Sequence, residues 1–110
     1  MIDLRSDTVT KPSKEMLQAM YEAEVGDDVY GEDPTINKLE KEFSELLGKD
    51  RAVFMTSGTQ SNLSAILSHC GRGEEMIVGN VYHTALDEAA GASVLGGICL
   101  LYTSDAADEQ

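Results

Sequence analysis

The feature that most constrains the fold is a strand–turn–helix pattern followed by a second strand. Residues 52–55 form an apolar run that suits a buried strand, and the small polar residues 57–59 interrupt it. A helical apolar pattern then runs to about Cys70, and a second apolar run occupies residues 76–78. This spacing predicts a βαβ unit of a parallel sheet and therefore an α/β fold.

The turn between the first strand and its helix has the composition of an anion-binding cup. A helix that begins here directs free N–H groups and the positive end of its dipole at one point. Gly58 permits close approach of a ligand, and Ser57 and Thr59 add hydroxyl donors. The alternative is an ordinary strand-to-helix connection in which Ser57 or Thr59 only caps the helix. The turn matches neither a P-loop nor a nucleophile elbow.

His83 follows the second predicted strand, as residues 57–59 follow the first. Ligands of parallel sheets bind at the carboxyl ends of the strands. We therefore expect His83 and the cup to face the same crevice. A structural role for His83 is the alternative at this point.

The first half of the chain predicts an extended arm and two helices. The arm covers residues 2–10, and Ser13 is the expected cap of a helix that continues to about Glu24. Asp33 and Pro34 are typical of the start of a second helix, and Gly48 of its end. The loop over residues 25–33 holds Tyr30, which a ligand or a partner chain could contact. The alternative is a tyrosine that packs within the loop.

Composition excludes several classes of function. A net charge of −12 over 110 residues disfavours a nucleic-acid partner. No apolar run has membrane-spanning length. The acidic loop lacks the spacing of a calcium-binding loop, so no metal site is predicted. Cys70 and Cys99 have no metal-ligand spacing and no secretory leader precedes them, which favours a reducing cytoplasm.

Several motifs in register resemble those of the low-specificity L-threonine aldolases, from about residue 2 to about residue 97. They are Asp3-Leu4-Arg5-Ser6-Asp7-Thr8-Val9-Thr10, Val25-Gly26-Asp27-Asp28-Val29-Tyr30-Gly31-Glu32-Asp33-Pro34-Thr35, Ser57-Gly58-Thr59 with Asn62, and His69-Cys70-Gly71-Arg72-Gly73. The resemblance implies the N-terminal part of the large domain of a fold-type I pyridoxal-phosphate enzyme. Its reaction would be retro-aldol cleavage of L-threonine or L-allo-threonine to glycine and acetaldehyde.

The resemblance also implies a role for each matching residue. Ser57, Gly58 and Thr59 would bind the phosphate of pyridoxal 5'-phosphate. His83 would stack on the pyridine ring and act as the catalytic residue near the substrate hydroxyl. Ser6 would contact the substrate carboxylate, and Tyr30 would reach an active site across a subunit boundary. The implied parent is a cytoplasmic homotetramer, a dimer of dimers, with an amino acid as substrate.

The chain departs from the family pattern after His83. The family usually has an aromatic residue followed by Glu-Ala-Gly-Gly, whereas this chain has Asp87-Glu88-Ala89-Ala90-Gly91. No lysine follows Lys49, although such enzymes form a Schiff base with the cofactor on a downstream lysine. We therefore expect a fragment that is inactive alone. The alternatives are a fragment of another fold-type I enzyme, such as a β-eliminating lyase or an aminotransferase, and a non-enzymatic anion-binding module.

The resemblance fades before residue 99. We interpret residues 1–98 as a partial cofactor-binding domain and residues 99–110 as a non-native tail in which no helical or strand period is recognisable. The alternative is a divergent natural C-terminus. Residues 99–109 resemble the translation of a transposase adapter used to prepare DNA sequencing libraries. They read Cys-Leu-Leu-Tyr-Thr-Ser-Asp-Ala-Ala-Asp-Glu. The tail is therefore expected to carry no functional residue.

Overall fold

The computed structural model of the chain describes residues 2–104. These residues form two compact units, which divide between Phe54 and Met55. Within the described residues, the first unit contains two α-helices. The second unit contains one long α-helix, two short α-helices and a two-stranded sheet. The second unit extends past residue 98. The interpretation of residues 99–110 as a non-native tail stays a prediction, and residues 105–110 lie outside the described part.

The N-terminal arm contains a short 3-10 helix at Asp7–Val9. Ser6 caps this helix, because its Oγ accepts a hydrogen bond from the backbone N–H of Thr8 at 3.2 Å. Serine side chains that bond to nearby backbone groups favour turns over extended chain. The prediction of an extended arm was therefore wrong at these three residues.

Two amphipathic helices follow, α1 at Lys14–Glu22 and α2 at Pro34–Leu47. Ser13 caps α1 and Asp33 caps α2, as the sequence predicted. Gly48 ends α2 with a φ of 60°, a left-handed conformation that glycine adopts without steric cost. The predicted start of each helix is confirmed, and α1 ends two residues before the predicted position.

Residues 52–55 do not form the predicted strand. A strand requires a neighbour for its backbone N–H and C=O groups, and the sheet among residues 2–104 has no third member. Val53 is exposed, and the N–H of Phe54 donates instead to Oε1 of Glu40 at 2.7 Å. An apolar run predicts a strand only where pairing partners are available, so this prediction was wrong.

The second unit begins with the helix that follows the polar turn. α3 spans Gly58–His69, with Ser57 as its N-cap and Cys70 as its C-cap. β1 spans Glu75–Gly79 and includes the predicted strand at residues 76–78. The helix and the strand that follows it are therefore confirmed.

A parallel crossover completes the second unit. α4 at His83–Leu86 and α5 at Gly91–Val94 connect β1 to β2, which spans Cys99–Thr103. The two strands pair in parallel from Glu75 opposite Cys99 to Gly79 opposite Thr103. The α/β class is confirmed, but the strands that pair are not the two that the sequence analysis chose.

β2 lies within residues 99–109, a segment in which the sequence showed no recognisable strand period. Leu100, Leu101 and Tyr102 form an apolar run that precedes the acidic end of the chain. The N–H of Cys99 donates to the carbonyl of Glu74 at 2.9 Å, which begins the ladder. Averaging composition over the whole tail concealed this short run, which by itself has the residues of a strand.

The described residues bury little apolar surface. Val78, Ala92 and Ile98 are the buried hydrophobic residues among them. Ile77 on β1 and its partner Leu101 on β2 are exposed, so one face of the sheet is uncovered. No helix in residues 2–104 combines the length and the apolar character needed to cross a membrane.

We predict that the isolated chain binds a hydrophobic dye and unfolds over a broad temperature range. Three buried apolar side chains are too few to couple the elements into one cooperative transition. Dye fluorescence and calorimetry of the monomeric chain test this expectation. A sharp transition with equal calorimetric and van't Hoff enthalpies would contradict it.

Candidate functional site

The first turn of α3 leaves backbone donors free. Ser57 Oγ accepts from the N–H of Gln60 at 3.1 Å, and the Ser57 carbonyl accepts from the N–H of Ser61 at 3.1 Å. The N–H groups of Gly58 and Thr59 have no hydrogen-bond acceptor within residues 2–104. Both residues are exposed. Two donors at the positive end of a twelve-residue helix are therefore available to an anion.

The start of α3 also lacks the acidic side chain found at the start of the other two long helices. α1 has Glu15 in its first turn and α2 has Asp33 as its cap. The cap of α3 is the neutral Ser57, and its first turn contains no acidic residue. The partial positive charge of this helix end is thus not compensated locally, although the chain as a whole is strongly acidic.

Gly58 has no packing reason to be glycine. A Cβ atom built at this position meets no heavy atom within 4 Å, and the residue does not have a positive φ. Glycine at a helical position is less stable than alanine by about 0.5–1 kcal/mol. The space in front of the helix is therefore free for the close approach of a ligand.

His83 is the first residue of α4 and lies four residues after the end of β1. Its Nδ1 lies 2.8 Å from Oε1 of Glu88, while 64% of its side chain is exposed. The imidazole is thus held on one side and open to solvent on the other. Its Nε2 atom has no hydrogen-bond partner within residues 2–104.

Glu88 connects His83 to α3. The same Oε1 atom accepts a hydrogen bond from Nδ2 of Asn62 at 2.6 Å, and only 5% of the Glu88 side chain is exposed. Asn62 lies one helical turn after Gly58, on the same face of α3. The structure therefore brings His83 to the helix that begins with the predicted cup, and it does so through a carboxylate to which the sequence analysis gave no role.

The two members of this pair shift each other's ionisation. The hydrogen bond between Nδ1 of His83 and the accepting carboxylate of Glu88 is the largest influence on the pKa of His83 and raises it. Burial lowers this pKa, the negative charges of Asp87 and Glu88 raise it further, and the overall shift is upward. Burial opposes ionisation of Glu88, but the hydrogen bonds from Asn62 and His83 outweigh it and lower the pKa of Glu88 overall. Glu88 is thus an ionised acceptor near neutral pH.

The turn after Glu88 has an unusual backbone. Ala89 and Ala90 both have positive φ angles, 52° and 54°. The left-handed region is unfavourable for residues with a Cβ atom, and the family that the sequence resembles usually has glycine at the second position. The N–H of Gly91 donates to the carbonyl of Glu88 at 2.9 Å and closes this turn.

Ser6 and Tyr30, the predicted substrate-binding residues, belong to the first unit. Ser6 is exposed, and its Oγ lies 2.8 Å from Oγ1 of Thr8. Tyr30 is 79% exposed in a turn that the N–H of Gly31 closes by donating to Asp28 at 3.0 Å. Both side chains are accessible to a ligand or to another chain.

Asp33 fixes the loop that presents Tyr30. Its Oδ1 accepts from the N–H of Ile36 at 2.9 Å, and its Oδ2 accepts from the N–H of Gly26 at 3.0 Å. These backbone hydrogen bonds, from Ile36 first, lower the pKa of Asp33. A Cβ at Gly26 would lie 2.2 Å from the carbonyl oxygen of Glu32, so the loop closes only with glycine there.

Two further features bear on ligand binding. A groove of about 420 Å³ lies along β1 from Met76 to Gly79 and reaches Thr103 of β2, and no predicted site residue lines it. Its lining includes Ile66, Tyr82 and Thr103.

Within residues 2–104, no group of three or more His, Cys, Asp or Glu side chains is arranged to bind a metal ion.

Comparison with known proteins identifies relatives over most of the chain. The family model described as beta-eliminating lyase matches residues 3–108. The low specificity L-threonine aldolase of Escherichia coli strain K12 is 63% identical over 98 residues, which cover 89% of this chain and 29% of the relative. The probable low-specificity L-threonine aldolase 2 of Arabidopsis thaliana is 53% identical over 98 residues, which cover 88% of this chain and 28% of the relative.

A less similar relative is covered to a similar extent. The low specificity L-threonine aldolase of Saccharomyces cerevisiae is 43% identical over 94 residues, which cover 84% of this chain and 24% of the relative. The chain thus spans between about a quarter and a third of the length of these relatives. This proportion agrees with the expectation of a fragment.

We predict that the His83–Glu88 pair stabilises α4 most between pH 4.5 and pH 6.5, the ordinary pKa values of the two groups. The stabilisation by Glu88 is present above pH 4.5 and is lost as pH falls through its lowered pKa. The stabilisation by His83 is present below pH 6.5 and is lost as pH rises through its raised pKa. Amide exchange at Asp87, corrected for the intrinsic rate, measures this effect. If Glu88→Gln leaves the pH dependence of amide exchange at Asp87 unaltered, the prediction is contradicted.

We also predict opposite effects of one chemical change at two neighbouring positions. Ala90→Gly should increase the protection of the Gly91 amide by about 1 kcal/mol, because it removes the Cβ atom from a left-handed residue. Ala92→Gly should decrease protection in α5 by about 1 kcal/mol or more, because Ala92 is buried within a helix. Amide exchange of the two variants checks both signs.

Proposed function

Because the chain belongs to the beta-eliminating lyase family, we propose that it is a segment of a pyridoxal-phosphate enzyme that cleaves L-threonine or L-allo-threonine to glycine and acetaldehyde. The observation that carries this proposal is the 63% identity to the Escherichia coli low specificity L-threonine aldolase over 98 residues. The sequence motifs at residues 3–10 and 25–35 favour an aldolase over other enzymes of the same fold. An aminotransferase or a β-eliminating lyase is the alternative.

The start of α3 fits the phosphate of pyridoxal phosphate. The free N–H groups of Gly58 and Thr59 would donate to its oxygens, and the Ser57 and Thr59 hydroxyls add further polar contacts. The open space at Gly58 accommodates a phosphate against the backbone. The absence of an acidic residue in the first turn of α3 favours a doubly charged anion at this place.

His83 is the proposed catalytic residue. When bound, the cofactor would supply an electron sink for the pair released as the bond between Cα and Cβ breaks. The imidazole face would orient the cofactor ring, and Nε2 would accept the proton of the substrate β-hydroxyl. Nε2 is the atom suited to this task, because Nδ1 is engaged by Glu88.

Ser6 and Tyr30 are the proposed contacts to the substrate. The hydroxyl of Ser6 is exposed and would donate to the substrate carboxylate. Tyr30 is exposed on a closed turn, which suits a contact to the active site of a neighbouring subunit. The proposed assembly is a cytoplasmic homotetramer, a dimer of dimers. The exposed apolar residues Leu46 and Leu47 of α2 are consistent with burial in such an assembly.

The chain supplies one part of the proposed active site. No lysine follows Lys49, and the covalent attachment of the cofactor would come from a downstream lysine of the longer protein. The chain is therefore proposed to be inactive alone. The three-to-fourfold greater length of the relatives supports this division of roles.

A hybrid enzyme tests the proposal. Residues 1–98 of this chain replace the segment that they match in the Escherichia coli enzyme. We expect the hybrid to bind pyridoxal phosphate, measured by absorbance, and to release acetaldehyde from L-allo-threonine. A hybrid that does not bind the cofactor would contradict the proposal that residues 57–59 bind its phosphate. One that binds it and does not cleave either substrate would contradict the reaction.

Two variants of the hybrid test the phosphate contacts. Gly58→Val places a branched side chain in the open space before α3 and should weaken cofactor binding by about 10²-fold or more. Thr59→Val keeps the backbone N–H and removes only a hydroxyl, so it should weaken binding by about tenfold. Equal affinities for the two variants and the unsubstituted hybrid would exclude this site. Cofactor titration followed by absorbance measures all three.

A further inference from the structure

Two charged side chains are buried among the described residues, Asp33 and Glu88. Asp33 has a structural reason, since it accepts hydrogen bonds from two backbone N–H groups and caps α2. The Glu88 carboxylate caps no helix and contacts no backbone donor within residues 2–104. Its two hydrogen bonds come from the side chains of Asn62 and His83.

A buried carboxylate is unfavourable unless its hydrogen bonds compensate for lost hydration. In Glu88 both bonds converge on Oε1, at 2.6 Å from Asn62 and 2.8 Å from His83. His83 is far more exposed than Glu88, so the pair is not a buried core interaction. Glu88 therefore holds the imidazole of His83 through Nδ1, while the rest of the ring stays accessible.

The chemistry of a carboxylate determines how it holds the ring. An ionised carboxylate only accepts hydrogen bonds, so Nδ1 of His83 must carry the proton. The neutral imidazole then has its lone pair on Nε2, the atom that faces away from Glu88. The contact therefore fixes the tautomer and restrains the orientation of the ring.

Asn62 connects the same carboxylate to α3. It lies on the face of α3 that also carries Gly58, one turn towards the C-terminus. A movement of the imidazole relative to the helix would break one of the two bonds on Oε1. The Asn62–Glu88–His83 cluster thus sets the distance between the imidazole and the start of α3.

We propose that Glu88 is a positioning residue for His83: it holds the imidazole in the Nδ1–H tautomer, at a fixed place relative to α3, so that Nε2 can accept the substrate proton. This role rests on the proposed function of His83. The strained turn at Ala89 and Ala90 directly follows Glu88 and is consistent with a carboxylate held in place for function.

The charges near His83 provide a matched control. Among residues 2–104, Asp87 and Glu88 are the acidic groups that raise the pKa of its imidazole, and of these two Glu88 makes a hydrogen bond to it. Glu88→Gln and Asp87→Asn each remove one negative charge with little change of size. A positioning role requires that the first change have much the larger effect.

The first measurement does not depend on activity. In the cofactor-free hybrid, hydrogen–deuterium exchange at the C2 atom of each histidine, followed by mass spectrometry, reports the pKa of His83, with His69 as an internal reference. Glu88→Gln should lower the pKa of His83, and Asp87→Asn should lower it less. Equal shifts, or no shift with Glu88→Gln, would overturn the proposal even if the hybrid is an active aldolase.

The second measurement is the pH profile of cleavage by the cofactor-loaded hybrid. Glu88→Gln should reduce kcat by about 10²-fold with little change in KM, and should move the acid limb to lower pH. Glu88→Asp keeps the charge but shortens the side chain and withdraws the hydrogen bond that raises the pKa of His83, so it should also lose rate and move the acid limb to lower pH. Unchanged kcat in both variants would overturn the proposal.

The two proposals fail in different ways. A hybrid that does not cleave L-threonine or L-allo-threonine contradicts the proposed function, and the exchange measurement still decides whether Glu88 holds His83. If the hybrid is active and Glu88→Gln changes neither kcat nor the acid limb of the pH profile, only the role of Glu88 is contradicted. Absorbance of the bound cofactor confirms that each variant is folded before its rate is compared.

Discussion

The parallel pairing of β1 with β2 is the interaction on which the second unit depends. It joins segments twenty-four residues apart in register, and the chain between them must cross over in a compact path. α4 and α5 form this crossover, and Ala92 and Ile98 are buried there with Val78 of β1. Because His83 begins α4 and Glu88 follows it, the strand pairing also determines where the candidate site lies.

The candidate site combines two ways of handling charge. At the start of α3, backbone N–H groups and the helix dipole provide positive potential without a basic side chain. At His83, a buried carboxylate provides negative potential that holds an imidazole. Asn62 and Glu88 connect the two places through hydrogen bonds. A phosphate and a proton could therefore be handled within one small part of the chain.

The sequence predicted the elements whose ends have local chemical signals. Asp33 with Pro34, Gly48 and Ser57 each act through backbone groups a few residues away, so their patterns were sufficient. The strands were predicted less well, because pairing depends on distant residues. Residues 52–55 are apolar but unpaired, whereas β2 pairs within a segment whose average composition is acidic.

The role of Glu88 could not be predicted from the sequence. Its spacing from His83 and its position before two alanines carry no local signal of burial or of a shared hydrogen bond. A carboxylate that bridges residues 62 and 83 becomes visible only when the fold brings α3 and α4 together. The helix start at residues 57–59 could be predicted, because an N-cap acts on backbone atoms a few residues away.

β2 is held in the sheet through its backbone. Its ladder with β1 is made of backbone groups, and most of its side chains are exposed. An open strand edge of this kind selects for extended backbone rather than for particular side chains. Pairing with β1 therefore constrains the backbone of residues 99–103 more than the identity of their side chains. A peptide of foreign origin would in this way acquire regular structure from its host, so that a well-formed strand is no mark of shared ancestry.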